Sequence, residues 1–317
     1  MLKNLQIKSL VSDVPYQAKY IDKTVQNPSA IIKTSDNMMA VINYLSNICD
    51  FYTLDGIKKN SFTIPTNYPT SIVENKSNGF SILYNNKLYP SEIIIVTVLG
   101  YIYGYNKNAD PNNAIQIYFN QNKSFEDIFI TSDNNYIYVV DSANANIEKY
   151  SSYEYPLTNP IASFTDAIMT AINYVPYGMS YINNMIYITY VNNYNVGLNN
   201  IGIGYINAYD MDGNFIKRFA NSDSYLNSPS TIIKYENIFL VPNAGDGKIL
   251  KYSENGTFLG YLKYNNTGDV ILIAGINDIV QINNNIYFVA GINFGSNGLI
   301  GYIYNASNNN ICNSIYN

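Results

Sequence analysis

Carboxylate and amide side chains stand where several short apolar stretches of this 317-residue sequence begin, and together they could bind a metal ion. Calcium prefers the oxygens of Asp, Glu and Asn as ligands, and a bound ion of this kind can polarise a substrate for hydrolysis. If the chain holds a metal, we expect Glu126, Asp127 and Asp278 to be its ligands. The full set of candidate binding residues is Glu74, Glu126, Asp127, Tyr177, Asn277 and Asp278.

The carboxylates and amides of this set also have a structural interpretation. Asp and Asn at the entrance of a strand accept hydrogen bonds from nearby backbone N–H groups and so stabilise turns. A metal site would require three carboxylates to converge within reach of one ion. The sequence leaves both interpretations open.

Tyr177 is a candidate of a different kind. The sequence contains 33 tyrosines, and a tyrosine combines a rigid apolar ring with a polar tip that suits a binding surface. Most of them occupy strand positions where an aromatic ring packs in the protein interior. Because Tyr177 stands at the beginning of an apolar stretch, we predict that it contacts a ligand.

Histidine is absent from the sequence. Its absence excludes Ser-His-Asp and Cys-His nucleophiles, zinc bound by imidazole, and a histidine general acid or base. The chain also lacks the glycine-rich loops that bind nucleotides and dinucleotides, and the EF-hand calcium loop. We therefore assign no catalytic residue from the sequence.

Acidic residues outnumber basic ones, with 23 Asp and Glu against 18 Lys and Arg and a net charge of −5. Nucleic-acid binding requires clustered positive charge, so we do not expect a nucleic-acid partner. The N-terminus has no apolar segment typical of a secretory signal, and the longest apolar stretch, residues 93–105, is too short to cross a membrane. We expect no membrane insertion, and the cellular location stays open.

The elements that must position the candidate residues repeat along the chain. Six segments follow the same order: an apolar stretch, a polar turn rich in Asn, Asp or Gly, and a second apolar stretch, which is the pattern of a β-hairpin. In the second segment this hairpin covers residues 70–84. The six segments begin at Ser29, Thr70, Glu126, Tyr177, Ser230 and Asn277.

Further strands follow the hairpins. A third strand is clearest at residues 147–150, 204–209, 248–252 and 298–304, and a fourth at 62–65, 161–164, 215–219 and 258–262. Six repeated units, several of them with four strands, predict an all-β protein, a six-bladed β-propeller with four-stranded blades that occupies residues 1–317 as a single domain.

The sixth unit has only three strands, which would leave an exposed sheet edge. Residues 1–12 precede the first blade, and their apolar pattern over residues 5–11 predicts a strand. We predict that this strand becomes the fourth strand of the sixth blade and closes the ring, leaving residues 306–317 as a C-terminal tail. Ring closure brings that tail near the first blade, so Cys49 and Cys312 are either two free thiols or a disulfide.

Several stretches resemble a known family. They are GYINAYDMDGNFIKRF from Gly204, LNSP from Leu226, NAGDGKILKYSENGTFLGYL from Asn243 and IYFVAGINFG from Ile286. The chain resembles an uncharacterised family of six-bladed propellers, distantly similar to NHL-repeat proteins, that is found in bacteria and in some giant DNA viruses. The resemblance implies the same propeller fold.

The chain departs from that family at the turns before two inner strands. The family has Pro-Trp-Gly turns there, whereas this chain has Pro28-Ser29-Ala30 and Pro229-Ser230-Thr231 and contains no tryptophan. The departure implies that part of the family's channel mouth is missing in this chain.

Two functions remain as hypotheses. The first is a non-enzymatic binding or scaffold propeller, without a cofactor, that engages a protein or glycan partner as a structural component of a virus particle. The second is a calcium-dependent hydrolase that resembles the lactonases built on six-bladed propellers, with its carboxylates in the central channel. Calcium binding would discriminate between them, since only the second requires a bound metal.

Overall fold

The computed structural model describes residues 16–76, 79–152, 156–192, 204–221, 225–264, 267–291 and 298–305. Across these ranges the chain forms six four-stranded antiparallel sheets, one two-stranded sheet and one five-residue helix. The six larger sheets are the blades of a β-propeller. The all-β, six-bladed fold expected from the repeats is therefore confirmed.

The first half of the chain supplies three blades, whose strands run from the innermost to the outermost. The strand β1 (Tyr16–Asp22) comes first in the described sequence and belongs to the last blade. Blade one consists of β2 (Pro28–Lys33), β3 (Met38–Asn43), β4 (Ile48–Thr53) and β5 (Lys58–Thr63). Blade two starts with β6 (Pro69–Glu74), is interrupted by a separate hairpin of β7 (Ser81–Tyr84) and β8 (Lys87–Pro90), and continues with β9 (Ile93–Thr97), β10 (Tyr101–Tyr105) and β11 (Ile115–Phe119). Blade three consists of β12 (Phe125–Ile130), β13 (Tyr136–Asp141), β14 (Asn146–Ser151) and β15 (Ala162–Phe164).

The second half of the chain completes the ring. The helix α1 (Ala167–Ala171) connects blades three and four, and no helix in the described ranges is long and apolar enough to cross a membrane. Blade four consists of β16 (Tyr174–Ile182), β17 (Met185–Asn192), β18 (Tyr205–Tyr209) and β19 (Phe215–Ala220). Blade five consists of β20 (Ile233–Tyr235), β21 (Ile238–Pro242), β22 (Ile249–Ser253) and β23 (Phe258–Tyr261), and blade six of β24 (Ile276–Ile282), β25 (Asn285–Gly291), β26 (Gly298–Asn305) and β1.

The hydrophobic core lies between the blades. The buried apolar side chains of the described residues form six clusters, and each cluster joins two neighbouring blades. Between blades two and three, for example, Ile94 and Val96 of β9 share a cluster with Ile137 and Val139 of β13. A strand covered by a blade on each face must be apolar on both faces, which explains why all five residues of β9 are buried.

An N-terminal strand closes the ring, but at a different place in the sequence from the prediction. The strand β1 pairs antiparallel with β26, from Tyr16 opposite Asn305 to Asp22 opposite Ile300, as the outermost strand of blade six. Residues 1–12, predicted to fill this position, lie outside the described residues, as does the tail at 306–317. The outermost strand of a blade is largely solvated, so β1 carries exposed polar residues such as Lys19 and lacks the apolar pattern that drew the prediction to residues 5–11.

The second blade also differs from the prediction. The inner strands begin at residues 28, 69, 125, 174, 233 and 276, each within three residues of a predicted start. The hairpin predicted over residues 70–84 is wrong, however, because β6 pairs with β9 and β7 pairs with β8. Asn85 and Asn86 adopt positive φ angles of 49° and 61°, which suit a two-residue hairpin turn, so β7 finds its partner locally.

Two smaller expectations concern the first blade. The fourth strand expected at residues 62–65 lies earlier, at Lys58–Thr63. Cys49 is fully buried in β4, whereas Cys312 lies outside the described residues. The choice between two thiols and a disulfide therefore stays a prediction.

Candidate functional site in the central channel

A cavity of about 710 Å³ lies where the inner strands of all six blades meet. Its volume falls in the range of small-molecule binding sites, roughly 300–1,000 Å³. Aliphatic side chains such as Ile32, Val73 and Val280 form parts of its wall, and polar side chains from the starts of the inner strands form the rest.

The polar residues reach the cavity because most inner strands begin with a bulge. The pairing register shifts near the start of β2, β6, β12, β16 and β24, and a bulge of this kind re-aims one side chain out of the regular alternation. We call the first residue that the pairing skips in each of these strands a member of the bulge ring; in β16 the pairing skips Gly178 as well as Tyr177. All of its members line the cavity, and they are Ser29, Thr70, Glu126, Tyr177 and Asn277.

Three members of the bulge ring tie their blade to the next one. The hydroxyl of Ser29 donates a hydrogen bond to the Pro69 carbonyl at 2.8 Å, and the hydroxyl of Thr70 donates to the Phe125 carbonyl at 2.7 Å. The side-chain amide of Asn277 donates to the Pro28 carbonyl at 2.7 Å. Each acceptor is the residue just before the bulge of the following blade, so blades six, one, two and three are joined in series.

Glu126 interrupts this series. Its Oε1 atom accepts hydrogen bonds from the hydroxyls of Ser142, at 2.7 Å, and Ser124, at 3.3 Å, both near its own blade. Within the described ranges its carboxyl group forms no hydrogen bond with the next blade, so Glu126 does not make the contact that Thr70 makes. Burial raises the pKa of Glu126, and the negative charge of Asp141 adds to the effect.

Tyr177 follows Glu126 in the ring and also makes no such bond. No side-chain hydrogen bond joins its hydroxyl to any residue in the described ranges, although the ring is partly buried against the cavity. Burial raises the pKa of Tyr177 well above its usual value, and the charges of Glu126 and Tyr44 add to this. Tyr177 was predicted to contact a ligand, and the structure places it on the cavity wall beside Glu126.

Tyr44 also lines the cavity, and it was not among the candidate residues identified from the sequence. It lies in the turn between β3 and β4, lines the cavity, and packs against the ring of Tyr68 with centroids 5.0 Å apart. Burial and the charge of Glu126 raise the pKa of Tyr44, which places its hydroxyl within the electrostatic reach of that carboxylate. A single aromatic residue in a turn, in a chain with 33 tyrosines, gives no periodic signal by which to find it.

Asp127 and Asp278 lie one residue beyond the bulge ring and clamp neighbouring blades together. Oδ2 of Asp127 accepts a hydrogen bond from the Met179 backbone N–H of blade four at 2.6 Å, and Oδ2 of Asp278 accepts one from the Ile31 backbone N–H of blade one at 3.0 Å. Oδ1 of Asp127 also accepts from the Ser71 hydroxyl at 2.5 Å. These contacts match the structural interpretation in which carboxylates at strand starts accept backbone N–H bonds.

Both aspartates are harder to ionise than usual. Burial raises the pKa of Asp127 to about 6. Burial also raises the pKa of Asp278 to about 8, and the negative charge of Asp127, which comes from the blade on the opposite side of the ring, contributes to that shift. The two carboxyl groups therefore interact across the channel.

Glu74 lies apart from the other candidate residues. It is the last residue of β6, whereas the other candidates stand near the starts of their strands, and it is not part of the cavity wall. Its Oε1 atom accepts hydrogen bonds from the backbone N–H and the hydroxyl of Ser35, at 2.7 and 2.6 Å. Glu74 thus joins blade two to a turn of blade one, and the structure does not bring it to the cavity with the other candidates.

The carboxylates of the channel do not fit the expected calcium site. Among the residues that the structure describes, no three Asp, Glu or Cys side chains come together as a group that could hold a metal ion. Asp127 and Asp278 also use oxygen atoms to accept backbone N–H bonds, which leaves fewer lone pairs for an ion. Glu126, Asp127 and Asp278 line one cavity without forming one ligand set.

Sequence relatives of this chain come from a giant virus. The chain is 27% identical over 323 residues to an uncharacterised protein of Acanthamoeba polyphaga mimivirus, covering 94% of this chain and 80% of the relative. A second uncharacterised protein of the same virus is 26% identical over 93% of this chain and 84% of its own length, and a third is 29% identical over 80% of this chain and 51% of its own length. The resemblance to uncharacterised giant-virus proteins is confirmed, and no family model matches the chain.

Solved structures share the fold at low sequence identity. Virginiamycin B lyase from Staphylococcus aureus superposes with a TM-score of 0.56 and 14% identity, over 91% of this chain and 99% of that enzyme. A gluconolactonase from Xanthomonas campestris gives a TM-score of 0.59 and 10% identity, over 91% of this chain and 89% of that enzyme. At these identities the comparisons show a common propeller architecture.

Proposed function

We propose that this protein is a non-enzymatic binding module whose ligand enters the central cavity and contacts Glu126 and Tyr177. The observation that carries the proposal is the interruption of the bulge ring. Three members of the ring donate a side-chain hydrogen bond to the next blade, namely Ser29, Thr70 and Asn277. Glu126 and Tyr177 stand at equivalent positions and donate no such bond. The Tyr177 hydroxyl and the second carboxylate oxygen of Glu126 form no hydrogen bond with a residue in the described ranges, and polar groups of this kind on a cavity wall are available to a ligand.

The hydroxyl groups of the ring support binding in preference to catalysis. A serine or threonine nucleophile needs a neighbouring base to accept its proton. Ser29 and Thr70 donate to backbone carbonyls of the adjacent blades, so their protons are held by the fold. A rigid ring with a fixed cavity serves as a scaffold for binding without any such chemistry.

The partner in this proposal is a protein or a glycan that inserts a polar group into the cavity. Because the sequence relatives are encoded by a virus, the proposal extends to a structural component of a virus particle, a role that the uncharacterised relatives leave untested. A lactonase-like hydrolase has the shared fold in its favour, but it would require a metal site that Glu126, Asp127 and Asp278 do not form.

The proposal is tested by screening the purified protein on a glycan array and on a peptide array, with variants in parallel. Tyr177→Ala should weaken binding of the true ligand by about tenfold or more, because truncating an aromatic contact in a pocket typically costs that much. The matched control is Tyr20→Ala, since Tyr20 is 46% exposed on the outermost strand of blade six. If every ligand found on the arrays binds Tyr177→Ala and the wild type equally well, the proposal is wrong.

A further inference from the structure

The charged residues of the cavity wall are all acidic. Within the described part of the chain, Glu126, Asp127, Asp246 and Asp278 line the cavity, and no lysine or arginine does. Asp246 is neutralised by Lys248, whose Nζ atom lies 2.8 Å from Oδ2. Asp127 and Asp278 accept the backbone hydrogen bonds that clamp the blades. Glu126 is therefore the carboxylate with capacity left for a ligand.

Glu126 has a partner on one oxygen only. Its Oε1 atom accepts from Ser142 and Ser124, and no hydrogen bond reaches Oε2 from the residues that the structure describes. The ion pairs of the same residues involve other carboxylates, so no cation of this chain compensates Glu126 there. A buried carboxylate without a counter-charge is costly, and a ligand cation would relieve that cost.

Tyr44 and Tyr177 also favour a cationic ligand, and this argument does not depend on the charge of Glu126. Tyr44 and Tyr177 both line the cavity, and their hydroxyls form no hydrogen bond with a residue in the described ranges. A phenol oxygen accepts hydrogen bonds, and the face of a tyrosine ring attracts a cation. Both features favour a ligand group that donates hydrogen bonds and carries positive charge.

We infer that the cavity binds an aliphatic ammonium group, with its nitrogen between Glu126 Oε2 and the hydroxyls of Tyr44 and Tyr177. An ammonium carries three N–H donors, which matches these three acceptors, whereas a planar guanidinium presents five donors in a fork. The methylene chain that carries the ammonium would lie against the aliphatic wall near Ile32 and Val280. The inference rests on the proposed function, because it names the ligand class of the same cavity.

Two sources supply this chemistry: a lysine side chain of a partner protein, or a free diamine. Anionic groups are disfavoured because Glu126 would repel them, and a neutral sugar would leave Glu126 without a counter-charge. Selection between a cation and a neutral molecule of the same shape is therefore the property to measure.

The test is isothermal titration calorimetry of the full chain with three probes: 1,5-diaminopentane, Nα-acetyl-lysine methylamide, and the uncharged 1,5-pentanediol. The amines should bind about tenfold or more tightly than the diol, the difference expected for one charge-assisted hydrogen bond. Tighter binding of the lysine probe supports a partner protein, and tighter binding of diaminopentane supports a free diamine.

Variants locate the binding. Glu126→Gln keeps the shape and the acceptor for Ser142, and should weaken amine binding by about tenfold while leaving diol binding unchanged. Tyr177→Phe should weaken amine binding less, by about threefold. If Glu126→Gln lowers the melting temperature, the amine affinity of Tyr177→Phe tests the site independently. The matched control is Asp212→Asn, because Asp212 is an exposed carboxylate of a hairpin turn that does not line the cavity, so its loss should not affect the amine.

Equal affinity for amine and diol, or unchanged amine affinity in Glu126→Gln, would overturn the inference. If the diol or an arrayed glycan binds in a Tyr177-dependent manner while the amines do not, the inference fails and the proposed binding function stands. If neither the probes nor the arrays yield a Tyr177-dependent ligand, both fail together.

Discussion

The Oδ2 atom of Asp278 lies 3.0 Å from the backbone nitrogen of Ile31, and this hydrogen bond joins the last blade of the propeller to the first. The same carboxylate accepts the N–H of Ile279 at its own strand at 2.8 Å. Asp127 makes the equivalent pair of contacts on the opposite side of the ring, with Met179 and Ile128. Two partly buried side chains thus clamp the ring at opposite points.

Replacing Asp278 with alanine should destabilise the protein. Asp278→Ala leaves the Ile31 and Ile279 N–H groups without their acceptor, and an unsatisfied buried donor costs about 1–3 kcal/mol. We expect the free energy of unfolding in urea to fall by about that amount. Asp212→Ala removes an exposed carboxylate from a hairpin turn and should change stability by less than about 0.5 kcal/mol. Similar losses in the two variants would show that the clamp contributes nothing.

Stability should decrease as the pH rises from about 5 to about 8. The pKa of Asp127 is raised to about 6 and that of Asp278 to about 8, from 3.8, so the folded protein binds more protons than the unfolded chain in this range. Each group lowers the free energy of unfolding by at most about 1.4 kcal/mol per pH unit until its folded pKa is passed. The raised pKa of Glu126 acts in the same direction.

The measurement is urea unfolding of the wild type and of Asp278→Asn at several pH values. The asparagine cannot ionise, so the decrease between about pH 6 and pH 8 should be smaller in the variant. Aspartates with a lowered pKa, such as Asp110 and Asp133, lose their stabilising contribution only as the pH falls toward and below 3.8, outside this window. A wild type whose stability rises across the window would contradict the prediction.

Removal of the closing strand should lower the melting temperature strongly. Deleting residues 1–22 removes β1, its ladder with β26, and the contacts of Ala18 and Ile21 with the two flanking clusters. We expect a decrease of about 10 °C or more by circular dichroism, with aggregation from the newly exposed edge of β26. Deleting residues 1–12 leaves β1 intact and is the control. Equal melting temperatures for the wild type and the longer deletion would refute closure by β1.

A buried ion pair in blade three should be sensitive to the loss of one partner. Lys123 pairs with Glu148, with side chains 10% and 5% exposed, and Glu148 also accepts from the Tyr150 hydroxyl at 2.6 Å. Lys123→Met should cost about 3–5 kcal/mol because it leaves a buried charge uncompensated. Lys234→Met breaks the exposed pair with Glu254 and should cost less than about 1 kcal/mol. A double variant, Lys123→Met with Glu148→Leu, should recover most of the stability that the single variant loses.

Calcium should not stabilise the protein. The channel carboxylates form no ligand set, so the melting temperature with excess calcium and with a chelator should agree within about 1 °C. Elemental analysis of the purified protein measures its calcium content directly. A decrease in melting temperature on addition of a chelator would contradict this prediction and support the hypothesis of a calcium-dependent, lactonase-like hydrolase.

The repeated hairpins made the blades predictable, because Asn, Asp and Gly turns between apolar stretches recur at each inner strand. The same repeats placed Glu126, Tyr177 and Asn277 at equivalent positions, and the structure brings these three to one cavity. Glu74 stands at the end of β6, outside the cavity wall, because the sequence does not reveal how far along an inner strand the cavity extends. Tyr44 could not be found, since its position depends on how a turn of blade one folds over the axis.

The closing seam determines how the molecule responds to force. Tyr16 begins β1 and lies opposite Asn305, the last residue of β26, so both chain segments leave the sheet at the same end of their ladder. Tension applied between these two residues would load the antiparallel hydrogen bonds in succession, as in opening a zipper. The ring would then part at this seam, one residue pair at a time, while the packed interfaces between the other blades still hold.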